Sequence, residues 1–414
     1  MRILWVTAGK LLPVDTGGKI RSYNLLRHLA ARNDLTLLSC YGGRPDVGYQ
    51  DAIRVHFTGA ESMCTHGPED GAASRLHYLR HFLSSAPYAV TRFTSPHVRK
   101  RIARWFDERR FDVAVCEFLS ASLNFPQHLS IPSVLFQHNV ESVSWQRQAT
   151  HEPGRIRRAA LRFEAGKMAR YEAQTLARFP HVIAVSDGDR DAMATMIDPS
   201  RITVVPTGVD VEHYRAAQPL RAVRPVVMFV GSMDSEANID AVEYFCRAMW
   251  PSILQVVPDA VFRIVGRDPH PRVRLLASES VEVTGHVPSL VDYLREAMVF
   301  VVPLRVGGGT RLKIFEAMAS GRAVVSTTIG AEGLDVHDGT DILLADTPAA
   351  FAHAVVKVIK NEALRQSLEE RATELAARHD WSAIARQFER VLRRVTGDYA
   401  MQPVETVVRR VQQI

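Results

Sequence analysis

What this chain lacks narrows the field first. Its 414 residues include four cysteines, Cys40, Cys64, Cys116 and Cys246, scattered without C-x-x-C or Cys/His pairing. That spacing suggests neither a disulfide framework nor a zinc site and leaves buried thiols as the plain reading. No apolar run approaches the roughly 20 residues that span a bilayer, and the first apolar stretch, Ile3 to Val6, is too short for a signal peptide. A cytoplasmic protein is therefore expected. The chain has no short-period repeat and no low-complexity tract. It also has neither the G-x-x-x-x-G-K-[ST] order of a P-loop nor a G-x-G-x-x-G dinucleotide fingerprint.

What is present is enough to bury a full core. A hydrophobic content of 46% in a chain of this length predicts two domains rather than one. Charge is divided unequally: residues 1–210 carry 27 Lys and Arg against 20 Asp and Glu, whereas 211–414 carry 24 against 25. The excess gathers in Arg99, Lys100, Arg101, Arg104, Arg109 and Arg110, and in Arg155, Arg157, Arg158, Arg162, Lys167 and Arg170. Both segments have helical periodicity. A solvated helix face and an anionic partner, such as lipid headgroups or a diphosphate-linked acceptor, are the two readings. Nucleic acid is disfavoured, because no aromatic-interleaved basic motif accompanies these residues.

The order of elements points to an α/β fold. A strand from Ile3 to Thr7 leads into a loop with Pro13, Gly17 and Gly18 and then a helix from about Lys19 to Ala31. Short apolar strands recur at Leu35 to Ser39, Val113 to Cys116, Ser133 to Phe136, Val182 to Val185 and Thr203 to Val205. Helical stretches such as Ala159 to Phe179 separate them. After Pro206 a strand-poor stretch reads as a linker over 207–224, and the same grammar restarts. Its strands are Val226 to Val230, Val261 to Val265, Val281 to Thr284, Val299 to Val302 and Ala323 to Ser326, with a helix from about Ile239 to Val257. Two doubly wound units follow, 1–206 and 225–395, whose ligand is expected in a cleft at the strand carboxyl ends. The helices Trp381 to Val395 and Val404 to Gln412 have no strands left to serve, and residues of about 396–414 are expected to pack back on the first domain.

The stretch from Pro303 to Gly321 carries the most chemistry. Gly307, Gly308 and Gly309 let the backbone approach a ligand, the following helix start offers free N–H groups, and Arg311 and Lys313 add full charges. A diphosphate fits that arrangement. Glu316, further along the helix, can accept two hydrogen bonds from a ribose diol; the alternative is a surface pair of Lys313 with Glu316 at i,i+3. Asp187, Asp189 and Asp191 form an apparent metal cluster. Ser186 is placed to cap the helix that these acids open, and alternate helix positions do not converge on one ion, so capping is the expected role.

Pro206-Thr207-Gly208-Val209-Asp210, Phe229-Val230-Gly231-Ser232-Met233, Ile264-Val265-Gly266-Arg267 and the run from Pro303 through Thr327 together resemble, in order and spacing, the landmarks of family 4 glycosyltransferases. The G-G-G-T-R-L-K run is similar to that of one subgroup. The resemblance implies a GT-B fold, two Rossmann-like domains, and metal-free transfer of a sugar from a nucleotide diphosphate sugar with retention. No cofactor beyond that donor is implied. Surface polysaccharide or glycoconjugate biosynthesis is the expected setting, at the inner face of the membrane if the protein is peripheral.

Carried over by position, Glu316 matches the second Glu of the family's Glu-x7-Glu motif and holds the donor ribose, while Gly308 stands where the first Glu is expected. The family's Arg and Lys after the first donor-domain strand are also missing from Ser232 to Asn238, and Arg311 and Lys313 take over their charge. The resemblance further assigns donor binding to Gly231, Arg267, Gly307, Gly308, Gly309 and Thr310. Gly17 and Gly18 match the loop that closes on the donor phosphates; a plain tight turn is the alternative. His138, in Phe136-Gln137-His138-Asn139-Val140-Glu141, matches a His that faces the donor sugar, with Asn139 and Glu141 as acceptor-side candidates. Two rival functions remain at this stage: a sugar-nucleotide epimerase of related fold, and a non-catalytic nucleotide-sugar-binding protein. The nucleotide base, the sugar and the acceptor are not encoded in any of these motifs.

Overall fold

A computed structural model describes residues 1–65, 84–152, 154–215, 224–306 and 311–401. The chain forms two units, Met1–Pro206 with the residues from Ile384 onward, and Thr207–Ala383.

The first unit is built on seven strands: β1 (Arg2–Ala8), β2 (Asp34–Tyr41), β3 (Glu61–Cys64), β4 (Val113–Glu117), β5 (Ser133–Phe136), β6 (His181–Ala184) and β7 (Ile202–Val204). Their order is β3-β2-β1-β4-β5-β6-β7, and every pairing is parallel. Strands covered on both faces need continuous apolar runs, and Ile3, Leu4, Trp5 and Val6 are all fully buried. β3 does not stand out in the sequence. Its four residues, Glu-Ser-Met-Cys, lie half-buried at the sheet edge and carry no apolar run.

The second unit holds β8 (Val226–Val230), β9 (Val261–Val265), β10 (Val281–Gly285), β11 (Val299–Val302), β12 (Ala323–Ser326) and β13 (Leu343–Leu344). The order is β10-β9-β8-β11-β12-β13, again parallel throughout. The expected helix Ile239 to Val257 is interrupted. Glu236–Tyr244 gives way to a wider, π-type stretch Phe245–Met249 before Trp250–Val256. Pro251 is the reason, since it supplies no N–H to the helical ladder and crowds the preceding turn.

Two expected boundaries move. The stretch read as a linker from 207 belongs to the second unit: Val209 pairs with Asp380, its N–H bonds the His379 carbonyl at 2.8 Å, and a short helix Val211–Arg215 follows. Gly208 is required there, because a Cβ would stand 2.5 Å from Cε3 of Trp381. The second unit also ends at Ala383 rather than near 395. Within the first unit the helix Trp381–Met401 brings Phe388 to 5.3 Å from Trp5 and 5.1 Å from Phe136, ring to ring, and Arg32 pairs with Glu389 at 3.1 Å. That aromatic cluster ties the helix to the first unit. The helix expected at Val404 to Gln412 lies outside the described residues.

Candidate active site

In an open parallel sheet, ligands collect at the carboxyl ends of the strands where the strand order reverses. In the first unit that point lies between β1 and β4. The chain after β1 runs to the helix Gly17–Ala30, whose first turn contains Gly17 and Gly18. Neither glycine has a positive φ, and both belong to that helix. They lie where a helix leaves backbone N–H groups without partners in its own ladder.

β4 ends at Glu117, which is fully buried. Trp5 Nε1 donates to its Oε2 at 2.8 Å, Ser22 Oγ donates to Oε1, and His138 Nε2 stands 3.1 Å from Oε1. Burial by itself would raise this carboxyl, but the contacts with His138, Ser22 and Trp5 outweigh it and hold the group below the usual carboxylate range. Burial pushes the His138 imidazole down to about 4, although Glu117 opposes that shift. At neutral pH the site therefore holds a carboxylate beside a neutral imidazole. The ring is gripped by Phe118 at 4.1 Å and Phe136 at 4.5 Å. Phe118 takes a φ of +65°, a region L-residues rarely adopt and one that recurs at functional sites.

Asn139 donates to Ser144 at 3.0 Å and is partly buried. The buried Glu172 accepts from the Glu141 and Ser142 N–H groups at 2.8 and 3.0 Å, capping the helix Glu141–His151. Burial and the nearby Glu172 raise the Glu141 carboxyl to about 7. Ser186 caps its helix by accepting from the Asp189 N–H at 3.1 Å, and Asp187 pairs with Arg190 at 2.5 Å.

In the second unit the strand order reverses between β8 and β11. A Cβ on Gly266 would overlap the Gly231 carbonyl oxygen at 1.6 Å, and one on Gly231 would meet Asn238 at 2.8 Å, so both glycines serve close backbone approach. Arg267 donates to Ser232 Oγ at 3.1 Å. Arg311 is buried at the start of the helix Leu312–Ala319 and reaches the Ile329 carbonyl at 3.4 Å. Lys313 donates to Asn238 Oδ1 at 3.1 Å and lies 4.4 Å over the Phe229 ring. Burial, with Arg311 adding repulsion, lowers its ammonium to about 7. Glu316 turns the other way and bonds the Tyr214 hydroxyl; burial raises its carboxyl against that bond and the attraction of Lys313. The surface-pair alternative for Lys313 and Glu316 is therefore not what forms. The helix aims one at the β8 loop and the other at the Val211–Arg215 helix.

The family described as Glycosyltransferase Family 4 matches residues 16–213, and that described as Glycosyl transferases group 1 matches 224–361. Together they span both switch points. The chain is a family 4-type glycosyltransferase. Among relatives, the phosphatidyl-myo-inositol mannosyltransferase of Mycolicibacterium smegmatis is 26% identical over 316 residues, covering 73% of this chain and 76% of the relative. Among solved structures, sucrose-phosphate synthase of Thermosynechococcus elongatus aligns with a TM-score of 0.68 at 17% identity over 96% of this chain and 99% of its own. Anabaena HepE in complex with UDP and glucose aligns with a TM-score of 0.65 at 15% identity, over 95% and 99%. The architecture of this glycosyltransferase is thus GT-B, as the motif order implied, and the epimerase and non-catalytic alternatives are not favoured.

Of the residues singled out in the sequence, His138 lies at the first switch point, after β5, beside Gly18. Gly231, Arg267, Arg311, Lys313 and Glu316 lie around the second. Gly307, Gly308, Gly309 and Thr310 lie outside the described residues. Sequence reasoning missed Glu117, Ser22, Asn238 and Tyr214 in this glycosyltransferase. Glu117 had one signal, a charged residue closing an otherwise apolar strand; Tyr214 had none, because it sits in a stretch that reads as a linker.

Proposed function

We propose that this glycosyltransferase moves a hexosyl group from a nucleotide diphosphate sugar to a lipid-linked or otherwise anionic acceptor, with retention and without a metal ion. The observation that carries the reading is the divergence of Lys313 and Glu316 from one helix turn. A cation held at Asn238 suits a diphosphate, and a carboxylate held at Tyr214 suits a ribose diol. Arg311 and the Gly307 to Thr310 loop complete the diphosphate contacts, and Gly231 and Arg267 border the nucleotide. Departure of the diphosphate leaves positive charge on the sugar, which His138 meets as a neutral ring, and the leaving phosphate takes the acceptor proton from the same face. The Gly17 and Gly18 N–H groups face the phosphates in this reading, and Asn139 and Glu141 face the acceptor.

An acceptor carried by lipid is supported by the phosphatidyl-myo-inositol on which the Mycolicibacterium relative acts and by the helix Arg155–Arg178. Arg155, Arg157 and Arg162 are exposed there beside Ile156, which is 89% exposed, and Phe163. Arginines flanking bare apolar side chains suit an anionic membrane surface at the inner face of the membrane. Among the described residues no helix is long and apolar enough to cross a membrane.

The test is a thermal-shift screen over UDP-, GDP-, ADP- and TDP-sugars, followed by product analysis with excess EDTA. One donor class should raise the melting temperature, and a glycosidic product of unchanged anomeric configuration should form. Free sugar alone, an inverted product, or activity that returns only with manganese or magnesium would each overturn part of the reading.

A further inference from the structure

We infer that Asn238 is a positioning residue for donor binding: its amide fixes the Lys313 ammonium in place without cancelling the charge, which stays open to the donor diphosphate. The inference rests on the reading that Lys313 meets that diphosphate.

The helix Glu236–Tyr244 offers two side chains, Asn238 and Asp240, to two cations that flank the run Gly307 to Thr310 in the sequence. It treats them differently. Arg305 donates through Nε to one Asp240 oxygen at 3.1 Å and through a second nitrogen to the other, with its guanidinium 4.2 Å over the Tyr244 ring. A forked pair of this kind offsets the charge of the arginine and pins the side chain. Lys313 instead donates to Asn238 Oδ1 at 3.1 Å and lies 4.4 Å over the Phe229 ring. Both contacts are with neutral groups, which hold an ammonium and leave its charge in place. An aspartate at position 238 would reach as far and would cancel it.

The amide has one workable orientation. Its Nδ2 donates to the Ser232 carbonyl at 2.9 Å, and a carbonyl can only accept. Oδ1 is thereby turned to Lys313, because the flipped amide would set its NH₂ against the ammonium and its oxygen against the carbonyl. The side chain lies close against Gly231, where a Cβ would come within 2.8 Å of it. Asn238 thus ties the turn that follows β8 to the first turn of the helix Leu312–Ala319. Among the charged groups around Lys313, Arg311 repels the ammonium and Glu316 attracts it; burial is the larger influence and brings the group to about 7. Asp240 is taken up by Arg305 and Asp234 by Ser232.

The experiment uses the full chain and two variants, Asn238→Asp and Asn238→Ala, with UDP, GDP and ADP as probes and the tightest binder to the unmodified protein carried through. Lysine labelled with carbon-13 at Cε reports the Lys313 ammonium in the ligand-free protein, assigned by the signal lost in Lys313→Gln. In Asn238→Asp the midpoint of that titration should rise by about one pH unit or more. An unmoved midpoint overturns the inference, whatever the nucleotide does. Asn238→Asp should also weaken nucleotide binding at pH 7 by about tenfold and remove the fall in affinity between about pH 7 and 9, since the ammonium no longer titrates there. Asn238→Ala introduces no acid; it should weaken binding only a few-fold and keep the pH dependence. Equal losses in the two variants with the same pH dependence mean that Asn238 acts by packing alone, and the inference fails. If Lys313→Gln binds nucleotide as the unmodified protein does, the diphosphate reading fails and takes the ligand half of the inference with it, while the carbon-13 midpoint decides the hold of Asn238 on Lys313.

Discussion

The two switch points handle charge in opposite ways. In the first unit Glu117 is sealed, its two oxygens are bonded by Trp5 and Ser22, and His138 Nε2 stands 3.1 Å away. In the second unit Lys313 donates to Asn238 and lies over the Phe229 ring, and Glu316 bonds the Tyr214 hydroxyl, so both charges are held by neutral groups. A charge fully bonded from within organises the protein around it. One held by neutral partners keeps capacity for a ligand. In the proposed function the second unit grips the donor, and the contrast can be broken at several places.

The largest effect is expected at Glu316. Glu316→Gln should weaken nucleotide binding by about ten- to a hundredfold, the loss of one charged hydrogen bond of roughly 1.5–3 kcal/mol, with little change in melting temperature. A calorimetric titration indistinguishable from wild type would mean that Glu316 serves only Tyr214.

Next comes the pH dependence of donor affinity. Burial lowers the Lys313 ammonium to about 7, so the free protein loses this charge as pH rises through neutrality. A diphosphate binds the protonated form. Affinity for a nucleotide sugar should therefore be level below pH 7 and fall above it, by up to about tenfold per pH unit, until the bound-state pKa is reached. Titration from pH 6 to 9 checks this, and Lys313→Gln should flatten the curve at its weak end. A slope of the opposite sign would remove Lys313 from the diphosphate.

Two glycines sharpen the comparison at the level of packing. Gly208→Ala forces a Cβ to 2.5 Å from the rigid Trp381 ring and should cost about 1–3 kcal/mol, seen as a melting temperature several degrees lower. Gly18→Ala meets Phe118 at 3.6 Å and His138 at 3.8 Å, ordinary contacts, and should leave stability unchanged. Any fall in its kcat would then report on the ligand rather than on folding.

The smallest effect is expected from the basic helix. Neutralising Arg155, Arg157 and Arg158 together should weaken binding to anionic vesicles, or raise the acceptor KM, a few-fold at low salt and leave donor affinity unchanged. Raising ionic strength from about 0.05 to 0.5 M shortens the screening length from roughly 14 to 4 Å and should mimic the triple variant. Wild-type vesicle binding and acceptor kinetics would leave these arginines a solvated face.

The sequence by itself determined the two α/β halves, the strands β1, β8, β9, β11 and β12, and the place of His138, Lys313 and Glu316 near strand ends. These are local facts. A parallel strand buried on both faces must be an apolar run, and a glycine-rich stretch before a helix is legible from its neighbours alone. Only the tertiary structure decided which groups those residues meet. Glu117 and His138 are 21 positions apart and Trp5 is 112 from Glu117, while Lys313 reaches Asn238 over 75 positions. Such pairings arise because β1 lies beside β4 and β8 beside β11, an order set by how the apolar faces of helices cover the sheets, which no local spacing records. The same holds for the residues after Pro206. They read as a linker by composition and become part of the second unit because the backbone of Val209 finds its hydrogen bonds at His379 and Trp381, some 170 positions away.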